Sequence, residues 1–167
     1  MSVKIIFILS DAARQENIGA AARAIKTMGI HEHRLVNPVC DHMGERAMAT
    51  AHASAEILEN AKVFPNLLEA RADIPFLIGS AAKKRNVRED YHPVDSLPEL
   101  ILDKGNTIDK VGIAFGGEES GMSNAQMAVC DILSTIPMLR KYPSLNLAQA
   151  VMVYAARLSQ LTLQHAQ

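Results

Sequence analysis

Ile132-Leu-Ser-Thr-Ile-Pro-Met-Leu-Arg-Lys-Tyr-Pro-Ser-Leu-Asn-Leu-Ala-Gln-Ala-Val151 is the stretch on which the reading of the chain turns. It opens with a short apolar run, is punctuated by Pro137 and Pro143, and leads into a helix with an apolar stripe of Leu147, Val151, Tyr154, Leu158 and Leu161. Each proline fixes φ and withholds a donor, so the segment between them is expected to be an ordered turn. Ser144 and Asn146 stand at the helix entry, where side-chain oxygens accept from free backbone N–H groups. Taken alone, this Ser-x-Asn is a helix cap.

Outward from this stretch, strand and helix patterns alternate. Val3 to Leu9 is a continuous apolar run, as expected of a strand covered on both faces of a parallel sheet. After a polar loop, Asn17 is placed to cap a helix in which Ile18, Ala21, Ala22 and Ile25 share a face and Gly29 ends it. Arg23 and Lys26 fall on its other face, near the carboxyl edge of the sheet where open α/β folds bind ligands. Arg34 to Val36 reads as a strand before the Asn37-Pro38 turn, Gly44 to Asn60 as one alanine-rich helix, Lys62 to Phe64 as a strand, and Pro65 to Ala70 as a short helix with proline in its first turn. Ile74 to Gly79 is a buried strand, Pro93 to Leu102 a helix, Lys110 to Phe115 a strand and Asn124 to Val129 a short helix. The alternation, without repeats or a linker, predicts a single α/β domain over residues 1–167 with a mostly parallel sheet flanked by helices.

Composition narrows the class. Of the 167 residues 49% are hydrophobic, enough for a real core, yet no apolar run reaches the ~18 residues of a membrane span. The opening apolar run meets Asp11 too soon for a signal peptide, and Cys40 and Cys130 lack paired spacing, which together point to the cytoplasm and no disulfide framework. A formal charge of −1 gives no global field for nucleic acid, so such a partner needs a local patch. Lys83-Lys84-Arg85 with Arg88, in the long loop from Ser80 to His92, and Arg140-Lys141 are the candidates.

Familiar catalytic signatures are missing. Gly116-Gly-Glu-Glu-Ser-Gly121 allows close backbone approach but is followed by no Gly-Lys-Ser/Thr and fits no dinucleotide fingerprint. The six histidines form no His-Glu-x-x-His, and no Cys-x-x-Cys or Gly-x-Ser-x-Gly occurs, so no metal is expected.

Three stretches together carry a resemblance. Asn17-Ile-Gly-Ala-Ala-Ala-Arg23, Phe115-Gly-Gly-Glu-Glu-Ser-Gly121, and Ile136-Pro-Met138 followed by Ser144-Leu-Asn-Leu-Ala-Gln-Ala-Val151 resemble, in order, the three motifs of the SpoU/TrmH family of SPOUT RNA methyltransferases. Ala24 to Gly29, Leu35 to Pro38, Gly79 to Arg85 and the pair Ser120/Ser123 make it most similar to the TrmJ branch. The resemblance implies a C-terminal deep trefoil knot that binds S-adenosylmethionine, completed by a second subunit. The implied cofactor-binding residues are Ser80, Ala81, Ala82, Gly116, Ile136, Met138, Ser144 and Leu145.

The implied reaction is methyl transfer to a ribose 2′-hydroxyl of RNA. Arg23 is the expected catalytic residue, and since a guanidinium keeps its proton at neutral pH, steering the hydroxyl or its phosphate suits it better than proton removal. Asn17 is expected to orient Arg23 or the ribose, Glu118 to brace the second loop, and Ser144 and Asn146 to position loop or substrate. By resemblance the substrate is tRNA, at a pyrimidine ribose beginning the anticodon loop, with ribosomal RNA competing. TrmJ-type proteins commonly carry a helical extension beyond the point corresponding to Gln167. A non-catalytic knotted RNA-binding dimer, or a nucleotide-dependent enzyme on an unknotted doubly wound sheet, are the readings that stand against this one.

Overall fold

The computed structural model describes residues 3–81, 88–140 and 144–163. Among them, β1 (Lys4–Ser10), β2 (Glu32–Val36), β3 (Lys62–Phe64), β4 (Phe76–Ser80), β5 (Tyr91–Pro93), β6 (Lys110–Phe115) and β7 (Ile132–Thr135) form one sheet. Its order is β3-β2-β1-β6-β4-β7-β5, and every neighbouring pair is parallel. Parallel strands need crossovers that cover both faces, which is why the strands read as unbroken apolar runs. Ile5, Phe7 and Leu9 pack with Ile18, Ala22 and Ile25 of α1 (Gln15–Thr27), with Leu97 and Ile101 of α5 (Leu97–Asp103), and with Val151, Tyr154 and Leu158 of α7 (Leu147–Leu163). Ile6 and Ile8 face the other way, onto Leu67 and Ala70 of α4 (Leu67–Ala70) and Met127 of α6 (Asn124–Val129). Each of the larger aliphatic and aromatic side chains, removed wholly from water, contributes ~1.5–3 kcal/mol.

Topology decides where the site lies. β7 is the last strand in sequence, yet it pairs with β4 on one side and β5 on the other. The C-terminal segment is thus inserted between strands laid down before it, the placement a threaded chain requires. Helix α7 then returns across the face formed by α1 and α5.

Several local expectations are corrected. Asn17 does not cap α1: the helix starts at Gln15 with Arg14 as its cap residue, and Asn17 is a buried residue of its first turn. The single helix expected over Gly44 to Asn60 is two, α2 (Glu45–Ala51) and α3 (Ala55–Glu59), parted by His52 and Ala53 at φ 37° and 60°. Tertiary contacts impose that break. Lys26 donates to the Ala53 carbonyl at 2.6 Å and pairs with Glu56. Gly19 brings α1 so close to α2 that an added Cβ would stand 2.2 Å from the Ala47 carbonyl oxygen. In α4, Asn66 is the cap, its side chain accepting from the Glu69 N–H at 2.8 Å, and Pro65 precedes it. β5 takes its first two residues from the expected loop and Pro93 from the start of the expected helix; Pro93 is tolerated because this edge strand has one neighbour. A 3-10 turn, Val94–Ser96, then leads into α5.

Two arginines are consumed by the scaffold. Arg34, 2% exposed, forks onto Asp73 at 2.5 and 3.0 Å, pairs with Glu32 and donates to the Ala70 carbonyl. Arg88 pairs with Asp90 and donates to the carbonyls of Met127, Cys130 and Asp131. It therefore ties the approach to β5 onto the α6–β7 corner and is not a cation held out for RNA. Lys83, Lys84, Arg85 and Lys141 lie outside the described residues.

Candidate active site

At the carboxyl edge of the sheet, the segments following β4 and β6 and the residues entering α7 meet in a cleft of about 220 Å³. Its lining includes Ser80 and Ala81, Phe115 to Met122, and Ser144, Leu145, Leu147 and Ala150. Five of the residues expected at the cofactor are brought together here: Ser80, Ala81, Gly116, Ser144 and Leu145. Ile136 and Met138, both half-buried, are not among the lining residues, and Ile136 instead packs against the core. Ala82 lies outside the described residues.

The floor is shaped by backbone. A Cβ on Gly116 would stand 2.1 Å from the Gly121 carbonyl carbon and 2.2 Å from the Met122 nitrogen. Gly121, at φ +64°, donates to the Gly117 carbonyl at 3.0 Å and closes the turn, a conformation that suits glycine. Apolar Met122, Leu145 and Leu147 beside a few hydroxyls and main-chain groups make a lining of the kind that holds a nucleoside-like ligand.

One relay fixes the three segments together. Glu118 accepts from the N–H groups of Ala13 at 2.9 Å and Arg14 at 3.0 Å, so it supplies the cap that α1 lacks locally. It also accepts from Asn17 Nδ2 at 3.2 Å, and Asn17 Oδ1 accepts from Asn146 Nδ2 at 2.9 Å. Asn146 in turn caps α7: its Oδ1 accepts from the Ala148 N–H at 2.8 Å, and its own N–H donates to Gln149 Oε1 at 3.0 Å. Burial alone would raise the Glu118 carboxyl, but the Ala13, Asn17 and Arg14 donors outweigh it and its pKa is lowered. The site keeps a fixed carboxylate as a result.

Across the Gly117–Met122 turn lies a second cleft of about 530 Å³, which includes Asp11, Arg14, Glu119, Ser123 and Gln126. Asp11 sits at φ 57° and is held by Asn37 Nδ2 at 2.8 Å and Gln126 Nε2 at 2.9 Å. Ser123 and Gln126 form a reciprocal capping box on α6. Sequence reasoning missed Asp11, Arg14 and Gln126; their position at the sheet's carboxyl edge was the signal available.

Arg23 is the exception. It is exposed, lines neither cleft, and no described residue pairs with it. Six helical residues past Asn17 amount to a turn and two thirds, which places it about 120° around the helix from the relay. Asn17 spends both ends of its amide on Glu118 and Asn146 rather than on Arg23. Among the described residues, no group of three or more His, Cys, Asp or Glu is placed to hold a metal ion, and no helix is long and apolar enough to cross a membrane.

A parallel sheet with a late strand inserted among earlier ones, and a cleft gathered there from three separated segments, is the arrangement expected of the knotted α/β methyltransferase class. The SpoU rRNA Methylase family pattern matches residues 4–156, and the chain belongs to that family. It is 42% identical over 98% of its length to the uncharacterized tRNA/rRNA methyltransferase LasT of Escherichia coli, of which it spans 72%. It is 35% identical over 92% of its length to the tRNA (cytidine-2'-O-)-methyltransferase TrmJ of Methanocaldococcus jannaschii, of which it spans 66%. The SpoU methyltransferase AviRb of Streptomyces viridochromogenes, solved in complex with the cofactor AdoMet, shares the fold at a TM-score of 0.71 and 20% identity, over 98% of this chain and 59% of that one.

Proposed function

We propose that the chain transfers a methyl group from S-adenosylmethionine to a ribose 2′-hydroxyl of tRNA, at a pyrimidine nucleotide beginning the anticodon loop. The observation that carries this reading is the convergence of Ser80, Gly116, Ser144 and Leu145, from three separated segments, on one cleft. The AdoMet complex of AviRb supports the cofactor, and the printed activity of the Methanocaldococcus TrmJ supports tRNA and a cytidine ribose. Ribosomal RNA is the competing substrate, in keeping with the family's description.

When bound, S-adenosylmethionine supplies a methyl group already made electrophilic by its sulfonium, so the protein's task is alignment and proton removal. In the transfer the O–CH₃ bond would form as the S–CH₃ bond breaks, the donor leaving as the neutral thioether and the hydroxyl proton passing to water or to a phosphate oxygen of the RNA. Gly116 and the Gly117–Gly121 turn hold the donor by main-chain groups, while Leu145 and Leu147 exclude water. Glu118, Asn17 and Asn146 keep the segments in register. The target nucleotide enters from the larger cleft, where the exposed Arg14 meets its phosphate. The enzyme works in the cytoplasm as a homodimer, and the partner's Arg23 grips the ribose-phosphate; the exposure of Arg23 outside its own clefts supports this arrangement.

Methylation of bulk tRNA and of ribosomal RNA, followed by mapping of the modified nucleotide, tests the substrate. Arg23→Ala should abolish turnover and leave S-adenosylmethionine affinity unchanged. Mixing Arg23→Ala and Gly116→Ala proteins should restore part of the activity, since one mixed site then has both intact parts. Failure to recover would place Arg23 within its own subunit's site, and binding of RNA without turnover by the native chain would favour a non-catalytic RNA-binding dimer.

A further inference from the structure

The larger cleft holds a carboxylate that the relay does not use. Asp11 follows β1, half-buried, and lies against the turn shared with the cofactor cleft: a Cβ on Gly117 would stand 3.0 Å from the Asp11 carbonyl oxygen and 3.6 Å from the Asp11 Cβ. Its oxygens are held by two side-chain amides, Oδ1 by Asn37 Nδ2 at 2.8 Å and Oδ2 by Gln126 Nε2 at 2.9 Å. The Gln126 amide is itself oriented, because its Oε1 accepts from the Ser123 N–H at 3.0 Å. Groups from beyond β2 and from α6 thus fix the direction of one side chain at the cleft wall.

What this carboxylate lacks is a cation. Among the described residues no lysine or arginine pairs with Asp11. Its neighbours in the cleft differ: Glu118 spends its oxygens on Ala13, Arg14 and Asn17, and Glu119 is exposed. A carboxylate has about four acceptor sites, so with one amide on each oxygen about half the capacity of Asp11 remains. A negative charge without a cation, on the wall of a cleft that admits RNA, repels phosphate and is offset only where the nucleotide brings a donor. Bases bring such donors as exocyclic amines: cytosine presents the N4 amine where uracil presents the O4 acceptor. At about 530 Å³ the cleft falls within the ~300–1,000 Å³ of ligand pockets. It shares Gly117 to Met122 with the cofactor cleft, so a base seated in it keeps its ribose close to the methyl donor.

We propose that Asp11 is a specificity-determining residue for the target base: its carboxylate, held by Asn37 and Gln126, accepts from the exocyclic amine of a cytosine and disfavours uracil. The inference rests on the target nucleotide's entering the larger cleft.

Three tRNAs that differ only at the methylated position, carrying cytidine, uridine or the 2-pyrimidinone riboside that lacks the amine, are compared with the native chain and with Asp11→Asn. The native kcat/KM for cytidine should exceed that for either of the others by about tenfold or more, as for one hydrogen bond to a charged group. Asp11→Asn keeps the size of the side chain but offers an N–H that can donate to uracil O4. Its cytidine preference over uridine should fall to within about twofold of unity or reverse, while S-adenosylmethionine Kd by calorimetry stays within about twofold of the native value. A merely structural Asp11 would lower the rates on all three tRNAs alike and leave their ratios as they were. The 2-pyrimidinone comparison uses the native chain alone and so does not depend on the folding of the variant. Equal native rates on cytidine and either of the others, or an unchanged ratio in Asp11→Asn, overturns the proposal and leaves the methyl-transfer reading standing. If the native chain binds S-adenosylmethionine but methylates none of the three tRNAs, the tRNA reading and this inference fall together.

Discussion

Asn17 on α1 accepts a 2.9 Å hydrogen bond from Asn146 at the start of α7, 129 positions further along the chain. The other end of the Asn17 amide donates to Glu118, so its orientation is fixed by chemistry at both ends. Asn17→Asp preserves size but replaces the donor by a second carboxylate beside Glu118. Like charges at this distance in a largely buried setting should raise one of the two carboxyl pKa values and cost ~2 kcal/mol above pH 6. Urea unfolding should register that loss and its partial recovery near pH 4. Equal stability of the native and Asn17→Asp proteins at neutral pH would mean that the relay contributes nothing.

The α/β class was legible because β1 and β6 are apolar without alternation, the mark of strands covered on both faces. The segments of the cleft were legible only through the family resemblance, since Gly116 to Gly121 taken alone fits no known fingerprint. The relay was not, since Asn17, Glu118 and Asn146 each look locally like surface polar residues and only the threaded topology brings them within hydrogen-bond reach. The break at His52 and Ala53 escaped for the same reason: alanine favours helix, and the contacts that stop it come from Lys26 and Gly19 on another element. Arg88 read as part of a basic loop cluster and Arg34 only as the start of a strand, although Arg88 staples carbonyl groups and Arg34 is buried in a carboxylate fork.

Gly116→Ala tests the shape of the cleft. Its Cβ would fall on the backbone of Gly121 and Met122, so the turn must move rather than a side chain rotate. S-adenosylmethionine affinity should fall by more than about tenfold, and thermal stability by ~1–3 kcal/mol, the usual scale for overpacking. Calorimetric titration with unchanged affinity would remove the second segment from the binding site.

Arg34→Ala should destabilise the fold without touching the site. The substitution leaves Asp73 and Glu32 without their shared cation and the Ala70 carbonyl without a donor. Because Asp73 is half exposed, water replaces part of what is lost, and the expected cost is ~2 kcal/mol. The Arg34 guanidinium does most to hold the Asp73 carboxyl well below the usual carboxylate range. That contribution is present above the ordinary carboxylate pKa and disappears as pH falls through the folded value. Arg34→Ala should therefore lose least, relative to the native chain, in acid; a stability deficit that grows below pH 4 would contradict the assignment.

His33 gives the chain a second, separate sensitivity to acid. It is 3% exposed on β2, and its Nδ1 must carry the proton because it bonds the Phe7 carbonyl oxygen at 3.1 Å, which only accepts. Nε2 is buried with no partner among the described residues, so a second proton there would charge an unsolvated ring. Burial lowers its pKa from 6.5 to about 4. Between those values the unfolded chain binds a proton that the folded chain refuses, so stability rises with pH across the window and is lost on the way down. That lowering corresponds to roughly 3 kcal/mol between pH 6.5 and 4. His33→Asn keeps an N–H for the Phe7 carbonyl but does not titrate. Subtracting its urea-unfolding free energy from that of the native chain at each pH should leave a difference that changes by that amount across the window and is flat above pH 7. A difference constant from pH 4 to 7 would assign the acid sensitivity to other groups.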